Sequence, residues 1–414
     1  MRVLFKNIKQ LLQVRDTDVE KVAGKDMGEL PVLEHAFLVT VNDMIADFGP
    51  MDHIPDIKAD NEVDATGKML LPTWCDSHTH LVYAGNREEE FVDRIRGLSY
   101  EEIAARGGGI LNSARRLGLS SEDEIYKQSS KRLKEIMQLG TGAVEIKSGY
   151  GLTTESELKM LRVIKRLAEA CPIDIKATFL GAHAFPEPFR DSPDQYVDLI
   201  CDEMIPKVAQ ADLAEFIDAF CEKGYFSVDQ TQRIMERGQE FGLVPKIHVN
   251  QFNSIGGIQA AIESKALTVD HLEVMTEQDF IDLERSEVMP VALPSCSYFL
   301  SIPYTPARQM IDRGMPLAIA TDFNPGSTPS GNMNFVLSTA CIKMRLTPEE
   351  AINAATINGA YAMNLSGSLG SITRGKLANV ILTREIPSYG FLPYAFGSNH
   401  FERVMIRGEF LPEE

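Results

Sequence analysis

Two histidines, His78 and His80, close the stretch Leu70-Leu71-Pro72-Thr73-Trp74-Cys75-Asp76-Ser77-His78-Thr79-His80. On a β-strand alternate residues share a face, so Asp76, His78 and His80 are expected to project the same way. Neutral imidazole is a common zinc ligand, and two at a strand end supply half of a tetrahedral site. Alone, such a pair is more often a polar strand face than a metal site. The other histidines tip the balance. The chain has 8, and five of them close apolar runs: His78, His80, His183, His248 and His271, leaving His35, His53 and His400 elsewhere. Asp322 closes the last such run. Singly, His248 is a satisfied strand-end histidine and Asp322 a helix cap. Together, His78, His80, His248 and Asp322 are the expected ligands of one divalent metal ion, zinc or iron. Such an ion with an open position lets water lose its proton near neutral pH, which is the chemistry of hydrolysis.

Other residues near these strand ends could meet a ligand. Arg87, in Gly85-Asn86-Arg87-Glu88-Glu89-Glu90, can grip a carboxylate through two parallel hydrogen bonds, or pair with a neighbouring glutamate. Tyr150 and His183 could reach a ligand; the alternatives are packing for Tyr150 and a backbone hydrogen bond for His183. His271 could polarise a carbonyl or stabilise an oxyanion, or act structurally. Gln251 follows the fifth run and is either a hydrogen-bonding group or a polar loop residue. Gly107-Gly108-Gly109 precedes a helix expected from about Ile110; glycines let backbone N–H groups approach a ligand, but no phosphate-loop Lys-Ser/Thr follows.

The elements that must position these groups alternate. Short apolar runs occupy Leu70–His80, Ala143–Ser148, Ile173–His183, Ala214–Cys221, Val244–Asn250, Leu267–His271, Val288–Leu293 and Leu317–Asp322. Helical periodicity fills the gaps at Thr154–Ala170, Pro193–Ala209, Ser227–Phe241, Gly256–Glu263 and Thr276–Arg285, with further helices at Met333–Met344 and Pro348–Met363. Eight strand–helix units suit an α/β fold, a closed (β/α)8 TIM barrel whose reactive groups sit at the C-terminal strand ends. Residues 1–70 and 368–414 have strand texture instead and are expected to pair into one composite β domain around the barrel, residues 71–367.

A net charge of −18 argues against nucleic acid and against an anionic membrane surface. No apolar run approaches the length of a bilayer span, and the charged N-terminal stretch does not read as a signal peptide. Six scattered cysteines with no C-x-x-C pair suggest reduced thiols and a cytoplasmic protein. A symmetric homodimer is expected.

These motifs resemble the metal-dependent amidohydrolase superfamily: paired histidines after the first strand, single histidines after the fifth and sixth, an aspartate after the eighth. More closely, they resemble its branch that opens a cyclic amide in histidine degradation. The motifs are Asp76-Ser77-His78-Thr79-His80, Arg106-Gly107-Gly108-Gly109-Ile110, Glu145-Ile146-Lys147-Ser148-Gly149-Tyr150-Gly151, Phe179-Leu180-Gly181-Ala182-His183, Lys246-Ile247-His248, Asp270-His271-Leu272 and Ala320-Thr321-Asp322-Phe323-Asn324-Pro325-Gly326. The resemblance implies a distorted barrel with a small composite β-sandwich domain. It implies one zinc or iron on His78, His80, His248 and Asp322. It also implies a small-molecule substrate, 4-imidazolone-5-propanoate, hydrolysed to N-formimidoyl-glutamate. Arg87 would bind its propionate; Tyr150, His183, Asn324, Gly326 and Ser327 would also bind it. Asp322 would transfer protons and His271 would assist at the carbonyl. Gln251 departs from the glutamate some members carry, leaving it a binding or a catalytic group. The rival readings are a heterocycle deaminase on the same site and a barrel that binds a metal or ligand without catalysis.

Overall fold

Eight short strands, buried along most of their length, line up in parallel: Trp74–Asp76, Thr141–Lys147, Asp174–Ala182, Phe216–Cys221, Val244–Val249, Thr268–His271, Met289–Ala292 and Ala318–Ile319. Each pairs with its sequence neighbour, as strand–helix–strand connections favour. The seam between the last and first strands closes by backbone contacts beyond the strands proper. Thr79 bridges Phe323, the Asp322 N–H donates to the His78 carbonyl at 3.0 Å, and the His80 N–H donates to the Phe323 carbonyl at 2.9 Å. Closing the barrel therefore sets the histidine pair against Asp322. The computed structural model describes residues 1–15, 19–98, 102 and 108–412. Arg106 and Gly107 of the glycine motif lie outside them.

The outer helices follow local chemistry. Thr154–Ala170 begins where the Thr153 hydroxyl accepts from the Ser156 N–H, and it buries Leu161, Ile164 and Leu167 against the barrel. Val228–Glu240 and Glu277–Glu284 start at capping boxes built on Ser227 and Thr276. Two expected single helices are interrupted. Pro193–Leu199 and Ile205–Gln210 flank a π turn at Ile200–Met204, where Pro206 lacks the N–H that a regular helix would use. Pro348–Ala355 and Ile357–Tyr361 are separated by Thr356, whose φ of −117° and ψ of −88° are not helical.

The chain ends share one mixed sheet. Its strands are Arg2–Leu12, Val32–Val41, Met44–Pro50, Asn61–Asp64, Met69–Pro72, Val380–Thr383, Phe401–Ile406 and Glu409–Phe410. Pairing is antiparallel except where Arg2–Leu12 meets Asn61–Asp64 and Met69–Pro72 in parallel. Val3, Phe5, Ile8, Leu38, Leu70 and Val380 sit in its apolar core. The apolar run Leu70–His80 is thus two strands in two sheets. Met69–Pro72 pairs with Val380–Thr383, and Trp74–Asp76 enters the barrel. Pro72 and Thr73 make the transfer, and the Thr73 N–H donates to the Asn379 carbonyl at 3.1 Å.

Candidate metal centre and substrate cavity

His78, His80, His248 and Asp322 converge at the C-terminal end of the barrel, all buried. The Nε2 atoms of His78 and His80 each lie 3.6 Å from Asp322 Oδ1, and His80 Nε2 lies 3.4 Å from His248 Nε2. Nitrogen ligands bound to a tetrahedral zinc lie about 3.4 Å apart, by simple geometry on bonds of about 2.0–2.1 Å. The donor set therefore fits a divalent cation. His78 Nε2 is buried without a hydrogen-bond partner, which suits a lone pair reserved for an ion. Burial, then the Lys147 charge, pushes the His78 imidazole well below its ordinary pKa. Burial, then His183, does the same to His80. Both are held neutral, the form that ligates. Burial also pushes the Asp322 carboxyl up to about 6, against the lowering pull of His271 and Asn324.

Sequence reasoning missed the groups behind the imidazoles. His78 Nδ1 is 2.6 Å from Asp270 Oδ2, and His248 Nδ1 is 2.9 Å from Asp218 Oδ2. A carboxylate on the far nitrogen fixes the tautomer and aims the near one at the ion position. Lys147 ties the two carboxylates together: its Nζ lies 2.9 Å from Asp218, 3.6 Å from Asp270 and 2.6 Å from Glu145. Lys246 and Thr178 complete the layer by bonding Glu145. The signal was available, since Glu145, Lys147, Asp218, Lys246 and Asp270 interrupt otherwise apolar runs. Asp76, by contrast, is spent on the seam: its oxygens accept from the Thr321 N–H at 3.0 Å and hydroxyl at 2.6 Å. Glu222 caps a loop by accepting from the Phe252 and Asn253 N–H groups.

A cavity of about 360 Å³ opens over these donors, with apolar walls at Ile110, Phe220, Tyr225, Phe252 and Leu300. Arg87, Tyr150, His183, Gln251, His271, Asn324, Gly326 and Ser327 all border it. Arg87 also satisfies its other reading: Nε and Nη2 bond Glu90 at 2.8 and 2.7 Å. Glu90 in turn accepts from the Gly109 N–H at 3.0 Å, so one carboxylate orders both the arginine and the glycine turn. A Cβ at Gly326 would stand 2.1 Å from Arg87 Nη1, so a side chain there would push the guanidinium out of its present place. His183 Nδ1 pairs with the Gly149 carbonyl at 2.9 Å, leaving the other edge of the ring to the cavity. Gln251 Nε2 donates to Cys296 Sγ at 3.5 Å. Asn324 Nδ2 donates to the Asp322 carbonyl at 2.7 Å and its Oδ1 accepts from the Gly326 and Ser327 N–H groups at 2.7 Å. Ser327 Oγ donates to Asp322 Oδ2 at 3.2 Å.

His271 Nδ1 lies 3.2 Å from Glu273 Oε1. Burial works against its protonation, but Glu273 and Asp322 outweigh it and the imidazole pKa is raised, favouring a hydrogen-bond donor. His271, Leu272 and Asp322 have φ of 89°, 67° and 55°. Such left-handed backbone costs on the order of 1–3 kcal/mol per residue and concentrates where side-chain placement matters.

A parallel barrel with this donor set at its C-terminal mouth defines a hydrolase of the amidohydrolase type. The model of the "Amidohydrolase family" matches residues 69–411. The imidazolonepropionase of Flavobacterium johnsoniae is 66% identical over 99% of this chain and 100% of that protein. That of Geobacillus kaustophilus is 40% identical over 99% of this chain and 98% of that protein. Among solved structures, a mutant of atrazine chlorohydrolase TrzN from Arthrobacter aurescens TC1, complexed with zinc and atraton, superposes with a TM-score of 0.75 at 15% identity over 99% of this chain and 95% of that one. E. coli guanine deaminase superposes with a TM-score of 0.75 at 14% identity over 100% of this chain and 99% of that one. Those two show the shared fold. The chain belongs to the amidohydrolase family and, within it, to the imidazolonepropionases.

Proposed function

We propose that the chain hydrolyses 4-imidazolone-5-propanoate to N-formimidoyl-glutamate in the cavity above His78, His80, His248 and Asp322. The observation that carries this reading is a single cavity with a four-donor cation site on its floor and the Arg87 guanidinium on its wall. The four residues would hold one zinc or iron ion, which would polarise the lactam carbonyl and acidify water. Arg87 takes the substrate propionate, and Tyr150, His183 and Gln251 surround the ring. Asp322 accepts the proton of the attacking water. His271 donates to the carbonyl oxygen as charge develops there. Asp322 then returns the proton to the ring nitrogen as the C–N bond breaks. Asn324, Gly326 and Ser327 hold Asp322 and the propionate end of the cavity in register.

The test is direct. Purified protein should carry about one ion per chain, abolish the imidazolone's ultraviolet absorbance on mixing, and lose that activity on thorough chelation. Release of free ammonia instead would favour a deaminase, and no turnover of any ring substrate by loaded protein would leave only a binding barrel.

Arg87→Met should raise KM by about 10- to 100-fold, the worth of a hydrogen-bonded ion pair to a charged ligand, with a smaller effect on kcat. The comparison is with a substrate analogue lacking the propionate: if Arg87 binds that group, the variant and wild type handle the analogue alike. An unchanged KM for the natural substrate removes Arg87 from the assignment.

Among the described residues no helix is long and apolar enough to cross a membrane. The charge of −18 supports an enzyme that acts on a small molecule without nucleic acid or membrane partners, and six unpaired cysteines support a cytoplasmic location. A homodimer completes the proposal, to be read by sedimentation.

A further inference from the structure

His271 stands between two groups of donors. One face meets His78 and His248. On the other, Nδ1 meets Glu273, and Cys296 completes a trio whose donor atoms lie within 4.8 Å of one another. All three residues are buried. Glu273 Oε1 takes His271 and, at 3.4 Å, the Ser297 hydroxyl. Glu273 Oε2 is buried with no hydrogen-bond partner, although its side chain is fully covered. An unpaired carboxylate oxygen in such surroundings is costly and is a standing acceptor for a cation. The Cys296 thiol is equally enclosed, beside the amide end of Gln251, Asp322, Ser327 and Glu273. Imidazole, carboxylate and thiolate together suit a borderline-to-soft d10 ion and not magnesium or calcium.

We propose that His271, Glu273 and Cys296 form a second cation site, for zinc or cadmium, separate from the four-donor centre and weaker than it. It is weaker because it offers three protein donors and because binding must displace the thiol proton to solvent. Filling it engages His271 Nδ1 and Glu273, so excess zinc slows the enzyme by pinning the ring to the second ion; the Nε2–H remains but is drawn away from the carbonyl oxygen. That last consequence rests on the role proposed above for His271; the site itself does not.

Cadmium titration of metal-stripped protein separates the two. The four-donor centre contains no sulfur, so the first ion binds without thiolate absorption. The second should bring the ultraviolet thiolate-to-cadmium band, and Cys296→Ser should bind one ion only and show no band. A single bound ion at saturating cadmium in the wild type overturns the proposal. So does a second ion that binds without the band, or one that persists with it in Cys296→Ser. Glu273→Gln guards against a folding defect in the serine variant: it should bind the second ion at least tenfold more weakly, and undiminished affinity overturns the proposal equally. Failure of the imidazolone assay with only the first ion bound would count against the proposed reaction and leave the site standing.

Discussion

Asp322→Asn should lower kcat by several decades, about 10²–10⁴-fold, while leaving the fold intact. The carboxylate is asked to do two things at once, to face the cation beside His78 and His80 and to carry a proton from water to the leaving nitrogen. Asparagine keeps the shape and one oxygen but can accept no proton. It also tolerates the left-handed backbone at this position, where φ is 55°, so the seam should close as before. Counting the bound ion in the variant separates the two roles: a loaded but inert protein isolates the proton transfer. Near-normal turnover by the loaded variant would rule that role out.

Lys147→Met should destabilise the protein by about 3–5 kcal/mol, the usual result of removing one partner from a buried ionic cluster. Lys147 is fully buried and faces Glu145, Asp218 and Asp270. Burial opposes its charge, but Asp218, Glu145 and Asp270 overcome that and hold it firmly protonated. Without it, the remaining lysine of the layer, Lys246, bonds Glu145 and leaves Asp218 without a cation beside it. Asp218 and Asp270 would then take up protons or shift, and the imidazoles they orient would lose their aim. Chemical denaturation should register the stability loss, and metal affinity should fall by about 10- to 100-fold, as for other outer-shell partners. Unchanged stability together with unchanged affinity would show that the lysine is dispensable.

Much of this was legible because the barrel puts its chemistry where apolar runs stop. His78, His80, His248, His271 and Asp322 announce themselves as polar residues ending strands, and their convergence follows from the closed sheet. The helix Thr154–Ala170 could be read to the residue because its cap and its apolar stripe agree. What escaped was whatever depends on which face of a strand looks inward. Asp218 and Asp270 are single carboxylates in short strands, and only the pairing of His248 with Phe220 and Asp270 places them behind imidazoles. Glu273 comes from the loop after Thr268–His271 and Cys296 from the helix Pro294–Leu300, so no spacing in the chain links them. The run Leu70–His80 concealed a change of sheet because hydrophobicity reports burial and not the identity of the neighbour. Pro72 was the only local hint.

That change of sheet has a consequence for synthesis. The strand Met69–Pro72, which anchors the entry to the histidine pair, lies beside Val380–Thr383, some 300 residues later in translation. At about 5–20 residues per second, the ribosome delivers that neighbour on the order of tens of seconds after His80 has left the exit tunnel. The nascent chain must carry an unmatched apolar edge throughout. The entry to the cation site is therefore fixed only once Val380–Thr383 has been made, and a polypeptide cut short before that strand leaves an edge that chaperones must hold or proteases remove.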